Sequence, residues 1–204
     1  MADQLDDTVW IGSNVTVEQM LDGYRRGRFA MPYIVDDIYL WMSPKQRAIL
    51  PLDRLRVTRS LRQSTKRYTV TFDRDFDVVL EHCANPDRRG GWITDLLAAN
   101  YRTMFNSGYA HSVEVWDDQG QIAGGLFLVN VGGLVSGESM FHVGRDASKV
   151  ALVALVQRLR QAAEPVLLDT QWRTDHLATL GVIEVPRKKY LTMLPALVNR
   201  PNVL

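Results

Sequence analysis

The stretch HSVEVWDDQGQIAGGLFLVNVGGLVSGESMFHVGRDASKVALVALVQRLRQAAEPVLLDTQW, His111 to Trp172, decides the fold. HSVEVW alternates with the period of two that marks a strand. The turn Asp117–Gly120 (DDQG) leads into the apolar run QIAGGLFLV. A second turn, Asn130–Gly133 (NVGG), precedes LVSGESMF. These runs predict a three-strand antiparallel meander. In DASKVALVALVQRLRQAA, Leu152, Leu155, Val156 and Leu159 recur at the helix period, with Asp146 or Ser148 as cap. PVLLDTQW is a further short strand. Strand, helix and strand with short links form a right-handed crossover, so the last two strands should be parallel. The fold class is α+β with a mixed sheet.

The same stretch carries unusual polar residues. Glu138 lies between Gly137 and Ser139, with Met140 two places on. Period two puts Ser136, Glu138 and Met140 on one strand face, and Asp169 and Gln171 on one face of theirs. Both groups sit near the C-terminal ends of the strands expected to be parallel, where open α/β sheets place ligands. A methionine there can be core filler. Two acids at adjacent strand ends are harder to assign to plain core, because an unpaired buried charge is costly.

Upstream, residues 16–27 read as a helix capped by Thr16 and stopped by Gly27. Pro32, Pro44 and Pro51 interrupt the next segment. LRVTRSLRQSTKRYTVTF reads as an arm plus a strand over Tyr68–Phe72, and Phe76–Ala84 as a helix. NPDRRGG is a loop. WITDLLAANYRTMFNSG is a helix with Thr94 as N-cap and Gly108 past its end. From Lys45 to Arg67 there are eight basic residues against one acid, Asp53. Such a run is either a solvated face or a phosphate-binding surface. A boundary near residues 85–91 divides a small basic N-terminal domain, 1–88, from a larger domain, 89–204.

Composition limits the alternatives. A chain of 204 residues, 46% hydrophobic, can bury a real core. The net charge of +1 allows no global charge argument. One cysteine, Cys83, excludes an intramolecular disulfide and fits a reducing compartment. Asp3, Asp6 and Asp7 have the wrong sign for a signal sequence, and no apolar run reaches the ~18 residues of a membrane span. A cytoplasmic protein is expected. Ser139 lacks the last glycine of a nucleophile elbow. His82, His111, His142 and His176 show no metal-ligand spacing. Cys83 reads as core, and Asp175–His176 as local turn chemistry.

YRRGRF, SPKQRAIL, WIT, HSVEVW, GGLF, SGESMF, ASKVAL, LLDTQ, HLATLG and EVPRKKYL succeed one another in this order over Tyr24–Leu191. Together they resemble the leucyl/phenylalanyl-tRNA–protein transferase family. The resemblance implies transfer of Leu or Phe from aminoacyl-tRNA to the N-terminal Arg or Lys of a protein, creating an N-degron. It implies a Gcn5-related N-acetyltransferase-like mixed sheet domain behind a small basic N-terminal domain. No metal, no coenzyme A and no other cofactor is implied, and a monomer is expected.

The resemblance also implies roles. Asp169 and Gln171 match the pair at the reacting centre. Met140 and Leu126 line the Leu or Phe pocket, and Glu138 and Ser139 belong to the aminoacyl and acceptor site. Trp92 matches an aromatic at the terminal adenosine of the tRNA, and Met31 or Tyr33 stands where a second aromatic is usual. Arg54, Arg56, Arg59, Arg62, Lys66 and Arg67 become the contacts to the tRNA backbone. Two rivals are an acetyl-CoA-dependent acetyltransferase, against which HVGRDASK lacks the glycine pattern for pyrophosphate, and a non-catalytic tRNA-binding module.

Overall fold

A computed structural model describes residues 6–13, 15–33, 38–88 and 91–204. Arg89 and Gly90 of the expected NPDRRGG loop lie outside them, as does Asp3. In chain order the strands are β1 (Thr8–Gly12), β2 (Phe29–Pro32), β3 (Tyr39–Met42), β4 (Gln46–Leu50), β5 (Thr69–Phe72), β6 (Ala110–Trp116), β7 (Ile122–Val131), β8 (Leu134–His142), β9 (Leu167–Gln171) and β10 (Ile183–Pro186). The α-helices are α1 (Val17–Arg25), α2 (Arg59–Ser64), α3 (Phe76–Ala84), α4 (Asp95–Asn106), α5 (Ala147–Leu159), α6 (Asp175–Thr179) and α7 (Arg187–Met193).

A seven-stranded sheet in the order β10-β4-β9-β8-β7-β6-β5 organises the chain. β6, β7 and β8 form the expected antiparallel meander, and β8 and β9 run parallel across α5. Two cores cover the two faces. Phe127, Val129 and Phe141 pack with α3 and α4 through Val79, Leu97 and Tyr101. Leu126, Leu128 and Val135 pack with α5 through Val150, Leu155 and Leu159. The mixed α+β class is therefore as expected.

The helix ends obey their caps. Thr16 and Gln19 make a reciprocal capping box at α1, and Thr94 accepts from the Leu97 amide at α4. Gly27 (φ +71°) takes the left-handed conformation that stops α1. At α5 neither expected cap acts. Asp146 occupies the N-cap position at φ +59°, but its carboxylate accepts from Ser64 at 3.0 Å and Lys149 at 3.1 Å instead.

The division expected at residue 88 does not coincide with the sheets. β1, β3 and β2 form a three-stranded antiparallel sheet of their own, but β4 and β5 belong to the seven-stranded sheet and α3 packs on it. The arm also holds more structure than expected. Thr58 accepts from the Leu61 amide and starts α2, and a 3-10 turn comes next over Thr65–Arg67.

Candidate active site

β8 and β9 pair only from Leu134↔Leu167 to Ser136↔Asp169. Beyond that pair each strand departs from regular geometry. In β8 the register slips against β7: Phe127 faces Ser139 and Leu128 faces Gly137, leaving Glu138 as the extra residue of a bulge. In β9, Gln171 takes a left-handed backbone at φ +56°. A non-glycine residue there carries of the order of 1–3 kcal/mol of strain, which the surroundings must hold. A cavity of about 300 Å³ opens between the two strand ends. Its apolar wall comes from Leu126, Met140, Leu152, Leu155, Leu168 and Leu177. Glu138, Ser139, Gln171, Trp172 and His176 line it too.

The bulge overturns one expectation. Glu138 and Met140 do not share a face. Tyr101, in the core under α4, donates to Glu138 Oε2 at 2.9 Å. Met140 faces its cross-strand partner Leu126 in the core under α5. The extra residue rotates the carboxylate away from the methionine, as bulges beside sites commonly do. Ser139 shares a hydrogen bond with the buried Cys83 thiol, whose pKa burial raises. Cys83 belongs to the core, as expected.

The two acids differ sharply in environment. Asp169 is 0% exposed, and its oxygens are fully engaged. Arg47 donates to it through Nε at 2.9 and 3.1 Å and through a terminal nitrogen at 2.5 Å. The Tyr190 hydroxyl donates at 2.7 Å, and the Gln171 amide at 2.8 Å. Arg47 itself lies between the Phe29 and Tyr190 rings, 4.7 Å from each centroid, and donates to the Gly27 carbonyl at 3.3 Å. Burial opposes the Arg47 charge, but Asp169 and its other neighbours more than restore it, so its pKa is raised.

Glu138 has no cation within ion-pair distance among the described residues. Its partners are neutral: Tyr101, Tyr24, Ser136 and the Gln171 side-chain amide at 3.3 Å. Burial pushes its carboxyl up to about 7, against the pull of the Ser136, Tyr101 and Tyr24 hydroxyls. Burial likewise holds the Tyr24 and Tyr101 phenols well above their ordinary value, so both remain donors. The Gln171 amide nitrogen also donates to Ser136 Oγ at 3.0 Å. Gln171 therefore links the charge-neutralised Asp169 to the unpaired Glu138.

The remaining expected residues fall outside this cluster. Trp92 packs edge-on to Tyr101, with centroids 6.3 Å apart. Met31 is a half-buried residue of β2 packed on the same core, whereas Tyr33 is exposed beyond the strand. Arg54, Arg56, Arg59, Arg62, Lys66 and Arg67 are all exposed, around α2 and its flanking turns. None of the six forms an ion pair with a described residue.

Tyr24, Tyr101 and Tyr190 had no role in the sequence reading, and Arg47 entered it only as one of the eight basic residues of Lys45–Arg67; it is buried against Asp169 and belongs to no solvated or phosphate-binding face. Periodicity does not flag an arginine at the second position of a five-residue strand as a buried counter-ion. His176, read as turn chemistry, lines the cavity, and burial lowers its pKa, helped by Lys149 and His142.

A family model described as leucyl/phenylalanyl-tRNA protein transferase matches residues 49–195. The leucyl/phenylalanyl-tRNA–protein transferase of Afipia carboxidovorans is 44% identical over 195 residues, covering 93% of this chain and 85% of the relative. That of Nitrobacter winogradskyi is 46% identical over 187 residues, 89% of this chain and 82% of the relative. Among solved structures, a tandem GNAT protein from the clavulanic acid biosynthesis pathway is 16% identical at a TM-score of 0.43, over 75% of this chain and 51% of that one. L-PGS from Bacillus licheniformis is 15% identical at a TM-score of 0.42, over 66% of this chain and 48% of that one. The sequence relatives span both the arm and the cavity, and they settle the family: the chain belongs to the leucyl/phenylalanyl-tRNA–protein transferases.

Proposed function

We propose that the protein moves Leu or Phe from aminoacyl-tRNA to the N-terminal Arg or Lys of an acceptor protein, with chemistry at the mouth of the cavity between β8 and β9. The observation that carries this reading is Gln171. Its strained backbone and doubly bonded amide stand at the cavity rim, between a neutralised acid and an unpaired one. The apolar wall suits a Leu or Phe side chain, and about 300 Å³ is at the small end of ligand pockets. Leu126 and Met140 form part of it, and the flexible thioether adapts to either shape.

The donor ester is already activated, so the acceptor needs only a neutral, aligned amine. Its nitrogen attacks the ester carbonyl carbon, the bond from that carbon to the ribose oxygen breaks, and the amine proton ends on that oxygen. Gln171, whose N–H groups are taken by Ser136, Glu138 and Asp169, orients the acceptor amine through its side-chain oxygen. Asp169, fully engaged by Arg47 and Tyr190, acts by holding the Gln171 backbone amide. Glu138 meets the acceptor's positive charge, because no cation of a described residue lies within ion-pair distance of it. Alignment supplies much of the rate. Trp92, with Met31 beside the same core, takes the terminal adenosine, and the six exposed cations of the arm take the tRNA backbone.

The acetyl-CoA alternative is weaker. A pyrophosphate needs free backbone N–H groups at a helix N-terminus. At α5 that place is flanked by the Asp146 carboxylate. The deciding assay supplies tRNA charged with labelled Leu or Phe and a peptide beginning with Arg. We expect labelled peptide from the native protein, and Gln171→Ala and Asp169→Asn should slow transfer at least tenfold while tRNA affinity stays within twofold, a tenfold loss being about 1.4 kcal/mol of transition-state stabilisation. Native rates in both variants would remove Asp169 and Gln171 from the centre.

A further inference from the structure

A second cavity, of about 280 Å³, lies at the end of β8 and is lined by His82, Asn85, Arg88, Phe141, His142 and Val143. No residue of the reacting centre lines it. We propose that it is a subsite for the nucleotide preceding the terminal adenosine of the donor, held by base stacking and by a fixed cation. This deepens the aminoacyl-tRNA reading and rests on it.

The lining has the chemistry of a nucleotide site. His82 and Phe141 stack face to face, with centroids 4.3 Å apart and planes 2° from parallel. His82 is only half-buried, so the pair offers a rigid aromatic platform. Such platforms accept any base, because every base has a π-face. Arg88 supplies the charge. Its guanidinium donates to the carbonyls of Met140 at 2.7 Å, Cys83 at 3.1 Å and His82 at 3.4 Å. Three carbonyls fix its plane, and no carboxylate of a described residue pairs with it. The bonds leave some of its five N–H groups free for a phosphate. Among the described residues its lining contains no acid, unlike the cavity that Glu138 enters.

The position is also right. Met140 lines the aminoacyl cavity, and the next residues, Phe141 and His142, line this one. Two residues on, Gly144 sits against Tyr68 of the basic arm, whose hydroxyl donates to the Arg145 carbonyl at 2.9 Å. Trp92, proposed for the terminal adenosine, lies four positions after Arg88. Phe141 faces the core under α3 and Tyr68 the core under α5, so the single strand we propose rounds the end of β8 between the platform and the arm.

The test compares three donors: leucyl-adenosine, leucyl-cytidylyl-adenosine and full Leu-tRNA, each with a peptide beginning with Arg. Native protein should use the dinucleotide better than the mononucleotide. His82→Ala should cut kcat/KM for the dinucleotide and the tRNA about fivefold or more, the low end of ring–base stacking, and leave the mononucleotide unchanged. His82→Phe, which restores the ring, should recover the loss. Arg88→Gln should lower use of the dinucleotide and flatten its salt dependence. An equal loss on all three donors, or no gain from the second nucleotide in the native protein, would overturn the subsite. No transfer from any donor would instead sink the aminoacyl-tRNA reading, and the subsite with it.

Discussion

Asp169 carries a charge in full burial because Arg47 lies against it, with Tyr190 closing the remaining side. Removing one partner of such a pair strands the other and typically costs about 3–5 kcal/mol. Arg47→Met should show a loss of that size in urea unfolding, and adding Asp169→Asn to the same chain should recover part of it. Independent, additive losses would mean that the two groups do not depend on each other. Glu138 behaves oppositely, since its hydrogen-bond partners are neutral and burial outweighs them. Its carboxyl is raised from 4.5 to about 7, so below pH 4.5 folded and unfolded chains both carry it protonated. As pH rises from there towards 7 the unfolded chain ionises first, and stability falls; above 7 no further loss accrues. Glu138→Gln should remove this decline, which thermal unfolding across pH 4–8 would reveal as diverging curves. Acceptor use by the native protein should rise as Glu138 ionises. Parallel stability curves would contradict the raised carboxyl.

At the scale of elements, the arm around α2 makes the sharpest prediction. If Arg59 and Arg62 each meet a phosphate, replacing both by Ala should flatten the log affinity–log salt slope by about 1.4–1.8, at roughly 0.7–0.9 per contact. Binding of Leu-tRNA and Phe-tRNA should weaken alike, as filter binding over a salt series would show. An unchanged slope would make α2 a solvated face. α2 itself was hidden in the sequence, because its six residues are too few for periodicity and only Thr58 marks its start. The meander, α5 and the parallel return of β9 were legible, since their runs are long and their turns carry glycine. Legible too was the pairing of Asp169 with Gln171 on one face. The face of Glu138 was not, because a bulge is a one-residue slip set by the neighbouring strand, and period-two counting assumes there is none. β3 and β4 were missed for a related reason: short strands between prolines show no alternation when both faces are covered.

Across the whole molecule, the N-terminal segment shares a core with the large sheet and touches the site directly. Phe29 meets Trp172 edge-on at 4.8 Å, Asp7 accepts from the Trp172 indole at 3.1 Å, and the Gly27 carbonyl accepts from Arg47. Gly27 is the demanding one. Its φ is +71°, and a β-carbon there would come within 2.6 Å of Leu191 and 3.1 Å of Leu194. Gly27→Ala should therefore cost more than about 1 kcal/mol in unfolding free energy and reduce transfer by shifting Arg47. Full stability and activity in that variant would show that the turn adapts. Among the described residues no helix is long and apolar enough to cross a membrane.

The wide spacing of the Arg47–Asp169 pair along the chain has a consequence for synthesis. The partners are 122 residues apart, and the Tyr190 that completes them lies 21 beyond Asp169. Chains fold from the N-terminus as they emerge. Arg47 leaves the ribosome early and waits unpaired for β9 and then α7. The centre proposed above is thus complete only once α7 has emerged. Until α7 emerges, a chain tethered among charged tRNAs lacks the finished cluster with which it would transfer their amino acids to nascent neighbours.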